Sequence, residues 1–242
     1  SETARKRGVM KTMNSKRKNQ NRKITEAVVG IAMFAALAYG VTFVFRIPVS
    51  FLTFDAKDAV ITVASFVYGP IAGVVMSLLT ALIELFTVSG TGFYGFVMNF
   101  VSSAVFAATA SGIYKLWRNP RGAVLGPVLA VLTMTGTMLL MNIWITPIYM
   151  TILTGATVTQ AEVVAMIPTL LFPFNLAKGL LNAALAMLLY KPLSVALSRA
   201  GLVGRGEEKK SFSWNRTSIL IAVVSLLMIA AAVILFVFLK QK

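Results

Sequence analysis

The chain has 242 residues, 57% of them hydrophobic, with a mean hydropathy of +0.81, a composition of integral membrane proteins rather than soluble domains. It contains no cysteine and no histidine, which excludes disulfides, thiol chemistry, imidazole catalysis and Cys/His metal sites. The net charge of +15 suggests nucleic acid, but its distribution does not: nine of the 23 Lys and Arg residues crowd into residues 1–23, ahead of the first apolar run. That pattern is a basic cytoplasmic tail facing anionic lipid.

The first apolar run, Ile24–Phe45, exceeds the roughly 7–15 residues of a leader's apolar region and predicts a retained helix. It carries Ala32, Ala36 and Gly40 at four-residue spacing, which lets a second helix approach closely. A short helix over Ala59–Tyr68 follows, with Asp55 or Asp58 as its expected N-terminal cap. Gly69-Pro70 turns the chain into a third helix, Ile71–Val88, carrying Glu84. The fourth, Phe93–Trp117, holds Asn99, Ser102 and Ser103. The fifth, Ala123–Ile145, holds Asn142 and is expected to stop at Thr146-Pro147.

The sixth apolar run, Val163–Tyr190, contains Asn175, Lys178 and Asn182 on one helical face. A lysine at mid-membrane costs about 2.5–3.5 kcal/mol on insertion scales, so such residues face a bundle interior or a cavity. Pro168 and Pro173 loosen the backbone just before it, tolerable only where protein or water satisfies the freed carbonyls. A polar pocket with Lys178 as its strongest donor is one reading; a snorkelling lysine, or one paired with a distant carboxylate, is the other. Glu84 is the evident counter-charge, but helix rise places it about 10–15 Å nearer the outer end. Two asparagines and a lysine suit a small heterocycle with an amide-like edge, set between apolar walls.

After an exit at Lys191-Pro192, a basic stretch over 194–217 leads to a seventh apolar run, Ser218–Leu239, read as a plain anchor. The domain plan is a tail (1–23), a six-helix membrane domain (24–193), a linker (194–217) and an added helix (218–239). Connections after helices 1, 3 and 5 hold only Arg46 and Lys57, whereas the N-tail, the helix 4–5 loop and the segment after helix 6 are rich in basic residues. The N-terminus is therefore expected in the cytoplasm and those three connections outside. Without a Gly-x-x-x-x-Gly-Lys-Ser/Thr loop, any ATP hydrolysis must come from a partner. An intramembrane enzyme lacks its residues here, and an ion channel its carboxylate ring.

Four stretches carry a family resemblance: the Ala32/Ala36 face, Leu52-Thr53-Phe54-Asp55-Ala56-Lys57-Asp58, Tyr68-Gly69-Pro70-Ile71-Ala72-Gly73, and Asn142 with Asn175 and Lys178. Together they resemble the substrate-binding S components of energy-coupling factor (ECF) transporters, most nearly the riboflavin-specific type. The resemblance implies an all-α integral membrane protein, a six-helix S-component bundle with a seventh helix added. It implies a cell-membrane transport subunit without enzymatic activity or cofactor, riboflavin being the transported ligand. Asn142, Asn175, Lys178, Asn99, Phe51, Thr53 and Asp55 would contact the vitamin, with the loop after helix 1 helping to close the pocket. Ala32 and Ala36 would dock on a membrane coupling protein (T component) that works with two ATPases, and the occupied subunit would topple inward. Another vitamin, such as pantothenate, and a stand-alone secondary transporter are the alternatives.

Overall fold

The computed structural model describes residues 2–88, 90–199 and 216–240. Helix α1 (Glu2–Val44) runs without a break from the basic tail into the first apolar run. A two-stranded hairpin follows, β1 (Ile47–Val49) and β2 (Leu52–Phe54), in the register Ile47↔Phe54 and Val49↔Leu52. Ser50 turns it with a φ of 55°, at a position usually given to glycine. No alternating pattern announces strands this short.

Helices α2 (Lys57–Tyr68), α3 (Pro70–Thr87), α4 (Gly92–Leu116) and α5 (Pro120–Thr154) come next. At 12 residues, α2 is about 18 Å long, shorter than the about 30 Å thickness of the hydrocarbon. Its buried stretch runs unbroken from Lys57 to Ser65. Gly69 makes the turn into α3 at φ 95°, and Pro70 opens α3 where a missing N–H costs nothing.

Helix α6 (Gln160–Ala165) starts on a reciprocal cap. Thr159 Oγ1 accepts from the Glu162 N–H, and the Glu162 carboxylate accepts from the Thr159 N–H at 2.6 Å. The Thr159 N–H and hydroxyl, both donating to it, hold the Glu162 carboxyl below its ordinary range. A π-helical turn, Ile167–Leu171, then leads into α7 (Phe172–Arg199). Pro168 has no N–H to give, and the Leu171 N–H reaches back five residues to Met166 O at 3.0 Å. The last helix is α8 (Arg216–Lys240).

Two expected stops are overturned, since α5 continues through Pro147 and α7 through Pro192. A proline forfeits one backbone bond, but leaving the helix in lipid would strand several, so the helix persists. The 194–217 linker falls partly on α7 and otherwise mainly on residues outside those described. Six helices among the described residues are long and apolar enough to cross a membrane: α1, α3, α4, α5, the π turn with α7, and α8.

Small residues let these helices meet closely. Phe34, Ala35 and Ala38 of α1 pack with Ile61 and Ala64 of α2 and Met76 of α3. Phe106 and Ala110 of α4 pack with Ala130, Val131 and Met134 of α5 and Ala183 of α7. Where α4 crosses α5, a Cβ on Gly126 would lie 2.5 Å from the Ala110 carbonyl oxygen, a contact only glycine avoids. Helix α8 is not a plain anchor: Ser225, Ala232 and Leu239 are buried, and Met228 and Leu235 join the packed clusters. Their alternating three- and four-residue spacing is a helix-packing seam.

Candidate substrate-binding site

The site is built around a buried polar array at one end of the bundle. The Lys178 ammonium donates to Asp55 Oδ2 at 3.0 Å and stands 4.0 Å from Asp58 Oδ2. Asp58 Oδ1 accepts from the Ser103 hydroxyl. Lys57 donates to both oxygens of Glu84, at 2.7 and 2.5 Å. Glu84 also accepts from Thr42 Oγ1 at 3.1 Å and Asn99 Nδ2 at 3.2 Å. All five charged groups are buried. Breaking such a pair by removing one partner costs about 3–5 kcal/mol, because the other charge is left desolvated.

The structure thus decides between the two readings of Lys178 by satisfying parts of both. The lysine is paired, but with Asp55 rather than Glu84, whose partner is Lys57. A hollow also lies beside it.

Neither Asp55 nor Asp58, the expected caps, occupies the cap position of α2, which is Ala56 and makes no side-chain bond there. Asp55 lies against the Lys57 backbone at the helix start, but its Oδ2 is taken by the Lys178 ammonium. Asn182 of α7 also serves the helix start, across the bundle. Its Oδ1 accepts from the Ala59 N–H at 2.9 Å, and its Nδ2 donates to Asp55 O at 2.9 Å and Lys178 O at 3.0 Å. One amide therefore satisfies the α2 N-terminus and fixes the hairpin's last residues. A lone asparagine in an apolar run gives no sign in sequence of a partner 123 residues away.

Beside this array lies a cavity of about 80 Å³, open at one side. Through Phe51, Leu52, Thr53, Asn99 and Tyr149 it shares a wall with an adjoining hollow of about 410 Å³, the latter within the about 300–1,000 Å³ common for small-molecule sites. Lys178, Asn175, Asn142, Asn99, Ser102 and Thr146 make its polar wall. The hairpin's Phe51, Leu52 and Thr53, with Tyr94, Met98, Met138, Tyr149 and Phe174, supply most of the rest. Six of the seven residues named from sequence therefore line one space. Asp55 does not; it backs Lys178 and lines the adjoining hollow, between the hairpin, α3 and α4. Tyr94, Tyr149 and Thr146 are lining residues the sequence did not single out.

The amides are held ready. Asn142 donates to Met138 O at 2.7 Å and accepts from Thr146 Oγ1 at 2.8 Å, and Asn175 donates to Leu171 O at 2.8 Å. Each spends one N–H on its own helix, leaving capacity for a ligand's donors and acceptors. Asn175 bonds to the last carbonyl of the π turn, so the backbone defect set by Pro168 places a cavity side chain. With Lys178 neutralised by Asp55, the wall offers hydrogen bonds rather than a free charge.

Ala32, Ala36 and Gly40 are exposed on the outer face of α1, and a Cβ on Gly40 would meet nothing within 4 Å. They are remote from the cavity wall and face away from the bundle.

A multi-pass helical membrane protein with a polar cavity under a hairpin has the form of a substrate-binding subunit. Comparison with known proteins makes that specific. Residues 26–190 match the family model of the ECF transporter substrate-specific component, and the chain belongs to that family, a transport component and not an enzyme. It is 31% identical over 192 residues to the riboflavin transporter RibU of Staphylococcus aureus (strain TCH60), covering 77% of this chain and 100% of that protein. It is 22% identical over 176 residues to the riboflavin transporter FmnP of Bacillus subtilis (strain 168), covering 69% and 91%. A solved structure described as that of the S component of a bacterial ECF transporter superposes with a TM-score of 0.59 at 28% identity, covering 74% of this chain and 99% of that one.

Proposed function

We propose that this chain captures riboflavin outside the cell membrane and holds it in the cavity beneath the hairpin. The supporting observation is the convergence of Asn142, Asn175, Lys178 and Asn99 on one polar wall facing Phe51, Tyr94 and Tyr149. A planar heterocycle with an amide-like edge matches both halves of that surface. Two relatives named as riboflavin transporters support the same ligand.

In this reading Lys178 and the asparagines bind the ring's polar edge, and Phe51 and Thr53 close over it. Asp55 positions Lys178 instead of touching the vitamin. The poorly charged hairpin end faces outward and the basic N-terminus lies in the cytoplasm. The exposed Ala32–Ala36–Gly40 stripe docks on a membrane coupling subunit working with two ATPases, and inward toppling of the loaded subunit delivers the vitamin. Titration of the purified chain with riboflavin, alongside pantothenate and other B vitamins, tests the ligand. Saturable binding of riboflavin alone supports it; preference for another vitamin reassigns the site.

A further inference from the structure

Helix α8 lies beyond the 26–190 stretch that matches the family, and nothing in the capture mechanism uses it. Its packed seam nevertheless ends on the site. Phe236 lies against Phe54, the last residue of the hairpin, with ring centroids 5.7 Å apart. On the other side Phe54 meets Phe174 edge-on at 6.2 Å, and Phe174 is part of the cavity wall. Leu239, 8% exposed, and Leu235 complete the same cluster with Val49 and Leu52 of the hairpin. Phe54 is followed directly by Asp55, the partner of Lys178.

We propose that α8 is a built-in brace for the hairpin, with Phe236 and Leu239 as positioning residues that hold β2 over the cavity and set how fast a captured ligand leaves. The physical case rests on what the hairpin lacks. Two three-residue strands are too few to be stable alone, so their position must come from what they pack on. One face is given to α7 through Phe174, and the Asp55 end is tied by Lys178 and Asn182. The remaining apolar face is covered by the end of α8. Were α8 only an anchor, its stripe would need no match to the hairpin. Instead Leu235 and Leu239 continue the Ser225–Met228–Ala232 seam directly onto it. On the partner side Leu170 of the π turn and Phe174, Ala177 and Leu181 of α7, in the same cluster, repeat the alternating spacing. An aromatic contact of this kind adds modestly to area burial, which suits a part that must open and reclose.

The inference rests on the capture reading for its kinetic consequence, but not for its mechanical one, and the test separates them. The chain has no cysteine, so Ser50→Cys at the exposed hairpin turn gives one labelling site for a nitroxide. In full-length protein in nanodiscs without ligand, Phe236→Ala and Leu239→Ala should each mobilise that label, whereas Phe236→Tyr should leave it restrained. Riboflavin dissociation should rise about three- to tenfold in the two alanine variants, with association changed by less than about twofold. An equally restrained label in both alanine variants overturns the brace. A mobilised label with unchanged dissociation overturns its control of release. A mobilised label in a chain that binds no riboflavin in any form leaves the brace standing and removes the vitamin assignment instead.

Discussion

Lys178 and Asp55 are 123 residues apart in sequence and 3.0 Å apart in the bundle, and that pair joins the cavity wall to the base of the hairpin. Lys178 belongs to α7 and faces the hollow; Asp55 directly follows the hairpin that covers it. A change at one is therefore felt at the other.

Removing either charge takes the nearest counter-charge from its partner, leaving Lys178 with Asp58 at 4.0 Å and Asp55 with Lys57 at 3.9 Å. Lys178→Met and Asp55→Asn should each lower the stability of the detergent-solubilised protein by about 3–5 kcal/mol, and the double variant should recover part of that loss. Denaturant or thermal unfolding of the three variants checks the coupling. Both single variants should also lose ligand affinity, Asp55→Asn without removing any cavity-lining group. Additive stability losses would show that the pair is not coupled.

Asn182 has a role without ligand contact. Asn182→Ala leaves the Ala59 N–H and the Asp55 carbonyl without their side-chain partner, at an expected cost of about 1–3 kcal/mol. Affinity should fall through a slackened hairpin, seen as faster dissociation with nearly unchanged association. Stability equal to wild type would remove Asn182 as the clamp.

In the cavity itself, Asn142→Ala and Asn175→Ala should each weaken riboflavin binding about tenfold or more while insertion and helix content stay intact. Calorimetric titration reads the affinity and circular dichroism the fold. Unchanged affinity in both would take them out of the site.

Much of the fold and of the cavity wall is legible in the amino-acid sequence, and the physical reason is the bilayer. Apolar runs of membrane length report helices directly, and a lysine in such a run demands a special environment, so Lys178 and the asparagines beside it stand out. What stays hidden depends on contacts between distant segments. The Lys178–Asp55 pair, the Lys57–Glu84 pair and the Asn182 cap all join residues whose spacing along the chain carries no period. Asp55 has the position of a local cap because acids often sit before helices, yet its side chain turns to α7. Pro147 and Pro192 mislead for the opposite reason: rules for helix stops come from water, where a freed carbonyl finds a solvent partner. The α8 seam is written at three- and four-residue spacing, but an all-apolar background masks such a stripe.

The outer face of α1 gives a separate prediction. Ala32→Trp or Ala36→Trp should abolish vitamin uptake by cells while the purified variant still binds riboflavin with wild-type affinity, because those positions are exposed and away from the cavity. Uptake assays paired with binding titrations separate the two steps. Joint loss of capture and uptake would count against a docking role.

The central claim is that the hollow beside the Lys178–Asp55 pair is a riboflavin site. Quenching of flavin fluorescence on titration with the purified chain measures it directly. Saturation at one riboflavin per chain, abolished in Lys178→Met, is the predicted result. Absence of saturable quenching by the wild-type chain, or equal quenching by Lys178→Met, would contradict the account.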